Sequence, residues 1–191
     1  MPKDTPVDRR GFLGEAFKLV ASRAGAVLAE KVAPRRHFRP PGALAEPAFL
    51  AACTRCGYCM DACPAHAVVP APTSAGLAAA TPIIEPLKQP CVACEGMFCA
   101  SVCPTGALAL PADGWASERI GALELDVDRC IAYQGIECGV CARACPVGSE
   151  AIDLDAKGRP VIRSGCVGCG VCVRACVTSP SSLTLTLVQD L

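Results

Sequence analysis

Large side chains are scarce in this chain: one Trp, two Tyr, five Phe and three Met among 191 residues. The hydrophobic fraction of 52% is made up largely of small residues, alanine and cysteine above all. Small apolar groups bury too little area to offset chain entropy, so ordinary packing is excluded as the sole support and covalent or metal staples are expected. No uncharged apolar run approaches the roughly 18 residues that span a bilayer. Neither sign of charge is in excess, with Lys+Arg and Asp+Glu at 18 each, so neither a nucleic-acid surface nor an acidic tail is indicated. The two histidines, His37 and His66, stand apart from any nucleophile motif, and the carboxylates are scattered. No catalytic constellation emerges, and chemistry on a small-molecule substrate is not expected.

What the chain has in plenty is cysteine, 16 in all. They divide by spacing into four quartets with none left over. Cys53, Cys56, Cys59 and Cys63 form the first, and Cys166, Cys169, Cys172 and Cys176 the fourth; both read CxxCxxCxxxC. The second, Cys91, Cys94, Cys99 and Cys103, widens the middle gap. The third, Cys130, Cys138, Cys141 and Cys145, widens the first gap, and every quartet keeps the closing CxxxC. Pro64, Pro104 and Pro146 follow the last cysteine of the first three quartets, and Val177 takes that place in the fourth.

This is the bacterial ferredoxin run, and its spacing has a physical reason. Three thiolates from one tight loop wrap three corners of an iron-sulfur cube, while the fourth points away and serves another cluster. Each fourth cysteine is expected to start a helix, with proline in its first turn where a missing amide hydrogen does no harm. Gly57, Gly139, Gly168 and Gly170 lie inside the loops, where the lack of a β-carbon lets backbone amides approach an anionic group. Zinc sites pair CxxC groups across longer gaps without a third crowding cysteine. A disulfide scaffold has no reason to repeat CxxxCP. Four [4Fe-4S] clusters on sixteen cysteine ligands are therefore expected.

The linkers between neighbouring quartets are of similar length, so spacing alone does not choose which quartets exchange their fourth cysteine. The likeness of the first and fourth, with both irregular quartets between them, points to nesting. The expected sets are then Cys53, Cys56, Cys59 with Cys176; Cys166, Cys169, Cys172 with Cys63; Cys91, Cys94, Cys99 with Cys145; and Cys130, Cys138, Cys141 with Cys103. The fold class this gives is α+β: two ferredoxin-like units nested in sequence, an outer one from 45–75 and 160–191 and an inner one from 85–159. Strands are expected at Ala107–Leu110, Leu123–Val127, Ala151–Leu154 and Leu183–Leu187, with a hairpin turn at Asp155–Gly158. The Pro/Ala/Gly-rich stretch from Pro70 to Pro90 reads as loops.

Residues 1–44 hold no cysteine and form a separate segment. Asp8-Arg9-Arg10-Gly11-Phe12-Leu13 has the look of a twin-arginine export signature. Yet Lys18, Arg23, Glu30 and Lys31 interrupt the stretch after it, and the longest uncharged run between Phe12 and Pro34 is Ala24 to Ala29, short of a signal peptide's apolar stretch. Leu13, Phe17, Val20, Ala24, Val27 and Leu28 recur at helical spacing, so the reading taken is a retained amphipathic helix suited to a core, a partner or a membrane surface. That reading places the protein in the cytoplasm or on the cytoplasmic side of the membrane. Export to the periplasm is the alternative.

The four-quartet pattern resembles the ferredoxin-type iron-sulfur subunits that accompany molybdenum oxidoreductases, a group in which the pairing is nested. Arg39-Pro40-Pro41-Gly42-Ala43, Phe49, the run Cys53-Thr54-Arg55-Cys56-Gly57 and the run Cys99 to Leu108 are similar to the NapG/MauM type of periplasmic nitrate reductase and methylamine systems. The run Cys130 to Cys138 and the early Arg-Arg add features of the NapF type. The resemblance covers roughly residues 8–188. It implies an electron-transfer protein relaying single electrons between a quinol-linked membrane partner, or another redox protein, and an oxidoreductase. A maturation factor that assists cofactor insertion or reduction in a partner oxidoreductase is the alternative implied. Trp115 and Tyr133 are expected to serve packing or partner contacts.

Overall fold

The computed structural model describes residues 36–188. The expected N-terminal helix and the twin-arginine-like segment lie outside the described residues.

Each cysteine loop turns into a single helical turn in the same way. The helices are α1, Glu46–Ala52, ahead of the first loop, then α2, Tyr58–Asp61, α3, Phe98–Ser101, α4, Val140–Ala144, and α5, Val171–Ala175. The residue two before the third cysteine of every quartet is left-handed and caps the helix: Gly57 (φ 88), Met97 (φ 40), Gly139 (φ 70) and Gly170 (φ 87). Glycine takes that conformation without a β-carbon penalty, which gives three of the four loop glycines at this corner a backbone role. The third cysteine thus sits inside the helical turn.

The fourth cysteine does not start a helix, contrary to expectation; it ends one. Cys145 (ψ 121) and Cys176 (ψ 134) are extended at the C-termini of α4 and α5. A residue before proline is pushed out of the helical region, so Pro146 stops the turn rather than opening a new one.

The strands form three separate antiparallel pairs among the described residues. β1, Val68–Pro70, pairs with β2, Pro82–Ile84; β3, Gly121–Leu125, with β6, Leu183–Leu187; and β4, Ile152–Leu154, with β5, Pro160–Ile162. The β4–β5 turn is the expected one, its Asp155 carboxylate accepting from the backbone N–H of Lys157 and of Arg159 at 2.9 Å each. The β1–β2 pair brackets the start of the stretch read as loops: with three residues per strand, Pro70 ending β1 and Pro82 opening β2, no alternation betrays it. Ala107–Leu110 is no strand, since Leu108 makes only an isolated bridge with Ala43, and β3 starts two residues before the expected Leu123. No helix among the described residues is long and apolar enough to cross a membrane.

Packing follows the quartets. α2 packs on α3, and α4 on α5. One small core gathers Phe49, Met97, Ala100 and Leu108 with Cys59, Cys63 and Cys99; another gathers Ile152, Val173 and Leu183 with Cys141 and Cys172. A third, of Ile84, Ile120 and Val167 with Cys91 and Cys169, lies between them in composition, drawing on both halves of the chain. Of the 26 buried apolar side chains among the described residues, eight are cysteine and seven alanine, so the cores depend on what the thiols hold.

The segment Arg39-Pro40-Pro41-Gly42 is a clamp. Arg39 is buried, with 1% of its surface exposed. Its Nε donates to Glu46 Oε2 (3.0 Å) and its Nη2 to Glu46 Oε1, while Nη1 donates to Thr81 Oγ1 (2.8 Å) and the Pro82 carbonyl (2.9 Å). The guanidinium also lies 4.4 Å from the centre of the Phe49 ring. One side chain therefore ties the run 39–42 to α1 and to the start of β2. At Gly42 (φ 77) a β-carbon would meet the Ala109 carbonyl oxygen at 2.0 Å.

Candidate iron-sulfur sites

Four cavities take up all sixteen cysteines, four to each. The first site has Cys53, Cys56, Cys59 and Cys103 in its wall. The second has Cys63, Cys91, Cys94 and Cys99, the third Cys130, Cys138, Cys141 and Cys176, and the fourth Cys145, Cys166, Cys169 and Cys172. Three cysteines come from one loop and the fourth from another, as the spacing requires.

The nested exchange is corrected by this geometry. Cys103 lies with the first loop rather than the third, Cys63 with the second rather than the fourth, Cys176 with the third rather than the first, and Cys145 with the fourth rather than the second. The physical reason is local. The helical turns of neighbouring quartets pack together, which swings each fourth cysteine into the adjacent loop's cavity.

The cavities suit a cluster better than a lone ion. Among the described residues no three His, Cys, Asp or Glu side chains converge as tightly as a single metal ion requires. Four soft thiols ringing a space rather than a point are the donor set of an iron-sulfur cube. The rest of each wall is mainly apolar, which limits water at the site.

The thiols differ by position. Burial pushes Cys91, Cys99 and Cys172 up to about 12 and Cys59 up to about 11. These groups stay protonated on their own, so taking up iron displaces their protons. The fourth cysteines are treated differently. At Cys176 burial is outweighed by the Ser182 hydroxyl, 3.3 Å from Sγ, and the Thr178 hydroxyl, 3.2 Å away, which bring the thiol down to about 6. At Cys103 burial is outweighed by the Leu108 N–H, which donates to Sγ at 3.4 Å, with Thr105 assisting, and the thiol is lowered. The Ala67 N–H donates to Cys63 Sγ at 3.3 Å. Donors aimed at these sulfurs favour the thiolate and are one lever on cluster potential.

Those donors escaped the sequence reading, although a signal existed: a threonine stands two residues after the fourth cysteine in both Cys103-Pro104-Thr105 and Cys176-Val177-Thr178. Arg55 was also missed. It reaches from the first loop to the carbonyls of Ala79 (3.0 Å) and Leu77 (2.8 Å), tying down the excursion between β1 and β2 beside the first site. Of all sixteen cysteines only Cys56 is exposed, with Tyr58 (57% exposed) and Leu77 (81%) nearby. Trp115 donates its indole N–H to the Cys94 carbonyl at 2.9 Å, and Tyr133 its hydroxyl to the Pro160 carbonyl at 3.2 Å, so both make packing contacts. His37, half-buried, has its pKa lowered by burial and by Arg39, and it faces no thiol cavity.

The description of a 4Fe-4S dicluster domain matches residues 52–108, 90–149 and 122–177. Each range takes in two consecutive quartets: the first with the second, the second with the third, and the third with the fourth. The chain is 44% identical over 118 residues to the ferredoxin-type protein NapG of Escherichia coli (strain K12), an alignment covering 61% of this chain and 51% of that one. It is 35% identical over 178 residues to the methylamine utilization ferredoxin-type protein MauM of Paracoccus denitrificans, covering 85% of this chain and 80% of the relative. NapG of Haemophilus influenzae is 37% identical over 165 residues, with 80% and 58% covered. The chain thus spans only about half the length of the E. coli relative. No solved structure matches.

Proposed function

Since the chain belongs to the ferredoxin-type NapG/MauM family and carries multiple [4Fe-4S] clusters, we propose that it holds four of them, one per cavity, and relays single electrons. The cysteines of the four sites are the ligands, each cluster held by three thiolates of one loop and one from its neighbour. The clusters supply one-electron chemistry at potentials the protein sets. The chain's own residues hold and tune: the hydroxyls and amides at Cys63, Cys103 and Cys176 stabilise thiolate charge, and the apolar walls keep water away. The partners on this reading are a quinol-linked or other redox protein on one side and an oxidoreductase, of the molybdenum class by resemblance, on the other, with membrane contact made through a partner. The N-terminal segment is retained and the protein works on the cytoplasmic side.

The observation that carries the reading is the convergence of four thiols, from two loops each, on every one of four cavities. Anaerobic isolation followed by iron and acid-labile sulfide analysis and redox-poised EPR tests it. Equal iron and sulfide with four reducible centres are expected, and a colourless, zinc-bearing or cystine-bearing protein refutes it. The same preparation is assayed with a quinol-linked donor, for which rapid reversible reduction is expected. Binding only to a cofactor-free oxidoreductase would replace the relay with the maturation role. Intact mass shows whether residues 1 to about 41 remain.

A further inference from the structure

The order in which the sites stand in space is not their order in the sequence. The first and second sites exchange Cys63 and Cys103, and the third and fourth exchange Cys145 and Cys176, so each pair is adjacent. Where one pair meets the other is set by the cores. Among the buried cores of the described residues, the one that joins cysteines of both pairs holds Cys91, from the second site, and Cys169, from the fourth. The cysteines of the first site pack in the core around Phe49. Cys141, of the third, packs in the core around Ile152.

The contact between second and fourth sites is close and fixed. Gly170, in the fourth loop, approaches Pro86 so nearly that a β-carbon would lie 2.5 Å from Pro86 Cβ. The Ile120 N–H donates to the Val167 carbonyl at 2.8 Å. Arg174, on α5, donates to Gln89 Oε1 at 3.0 Å, and Gln89 in turn donates to the Ala65 carbonyl at 2.8 Å, beside Cys63. Backbone, side-chain and apolar contacts therefore converge on one crossing.

Resting on the electron-carrier reading above, we infer that the four sites form a single unbranched path in the order first, second, fourth, third, with its one crossing between halves at Cys91 and Cys169. Electron tunnelling weakens steeply with separation, so neighbouring sites exchange electrons and distant ones do not. Each hop oxidises one site and reduces the next by one electron, without a proton or a bond change. External partners meet the path at its two ends, the first site beside exposed Cys56 and the third beside exposed Ile136 and Val177.

The test uses spin coupling in the fully reduced, anaerobically loaded full chain, where paramagnetic clusters split one another's EPR signals only when close. Cys94→Ala removes the second site and Cys138→Ala the third, with iron and sulfide content confirming that three clusters remain. In the Cys94→Ala protein the first site's signal is expected to collapse to that of an isolated cluster while the third and fourth remain mutually split. In the Cys138→Ala protein the fourth site's signal is expected to stay split, by the second. If the first site remains coupled after loss of the second, or the fourth becomes isolated after loss of the third, the order is overturned. Should Cys94→Ala fail to load, the Cys138→Ala spectrum alone decides the crossing. Absence of acid-labile sulfide from the unaltered protein would instead sink the carrier reading, so the two failures are distinguishable.

Discussion

Replacing Arg39 by methionine tests whether the proline-rich entry segment is a structural clamp. The change keeps a long apolar stem but removes the guanidinium from Glu46, Thr81, the Pro82 carbonyl and the face of Phe49. Glu46 is 3% exposed, so its carboxylate loses a charge partner inside the protein. Breaking a buried ion pair by removing one member costs about 3–5 kcal/mol. At about 1.4 kcal/mol per tenfold, the open population rises by roughly two to nearly four powers of ten. Because cluster loss makes opening irreversible, the useful assay is the rate of visible bleaching in moderate urea with an iron chelator present. Where opening and closing are fast, that rate follows the open population. Arg39→Met is expected to bleach at least a hundredfold faster than the unaltered protein. The double variant Arg39→Met with Glu46→Leu should recover much of this, because no buried charge is then stranded, though the Pro82 carbonyl still loses this donor. Less than tenfold acceleration at full iron content, or a double variant no slower than the single one, would refute the clamp.

Cys103→Ser is expected to damage the cluster held by Cys53, Cys56 and Cys59 and leave the one held by Cys130, Cys138 and Cys141, read as selective loss of one EPR component. Gly168→Ala combines a left-handed backbone (φ 67) with a β-carbon 1.9 Å from the Gly121 carbonyl oxygen, so strain and overpacking together cost about 2–4 kcal/mol. Gly158→Ala, also left-handed (φ 74) but with open space around it, should cost only about 1–2 kcal/mol; bleaching rates that rank the two the other way count against the close-approach argument. Stripping iron with a chelator under reducing conditions is expected to abolish most far-ultraviolet circular dichroism, because eight of the buried apolar residues are cysteines whose ligand holds the loops. A stripped chain with a native-like spectrum would show that the alanine-rich core suffices.

What could be read in the sequence was what short-range geometry dictates. Three thiols on one short loop and a fourth a helical turn later need no long-range contact, and the Asp155–Gly158 turn is set by four adjacent residues. β6 at Leu183–Leu187 showed its alternation. The pairing of quartets could not be read, because it depends on α2 meeting α3 and α4 meeting α5, and on β3 finding β6 some sixty residues on. Arg39 was hidden for a different reason. A charged residue beside two prolines has the composition of a solvated linker, and only burial against Glu46 and Thr81 reveals otherwise. The fourth cysteines misled because proline suits both the start of a helix and the residue after its end.

One exposed sulfur gives the chain a weak flank. Dissolved oxygen, peroxide or a copper ion reaches the exposed Cys56 more readily than the buried Cys91 and Cys169. Corrosion would therefore start at one tip and advance inward, sparing the middle longest. On the proposed path, the exposure that would admit a partner at Cys56 is also the place where air first reaches the chain.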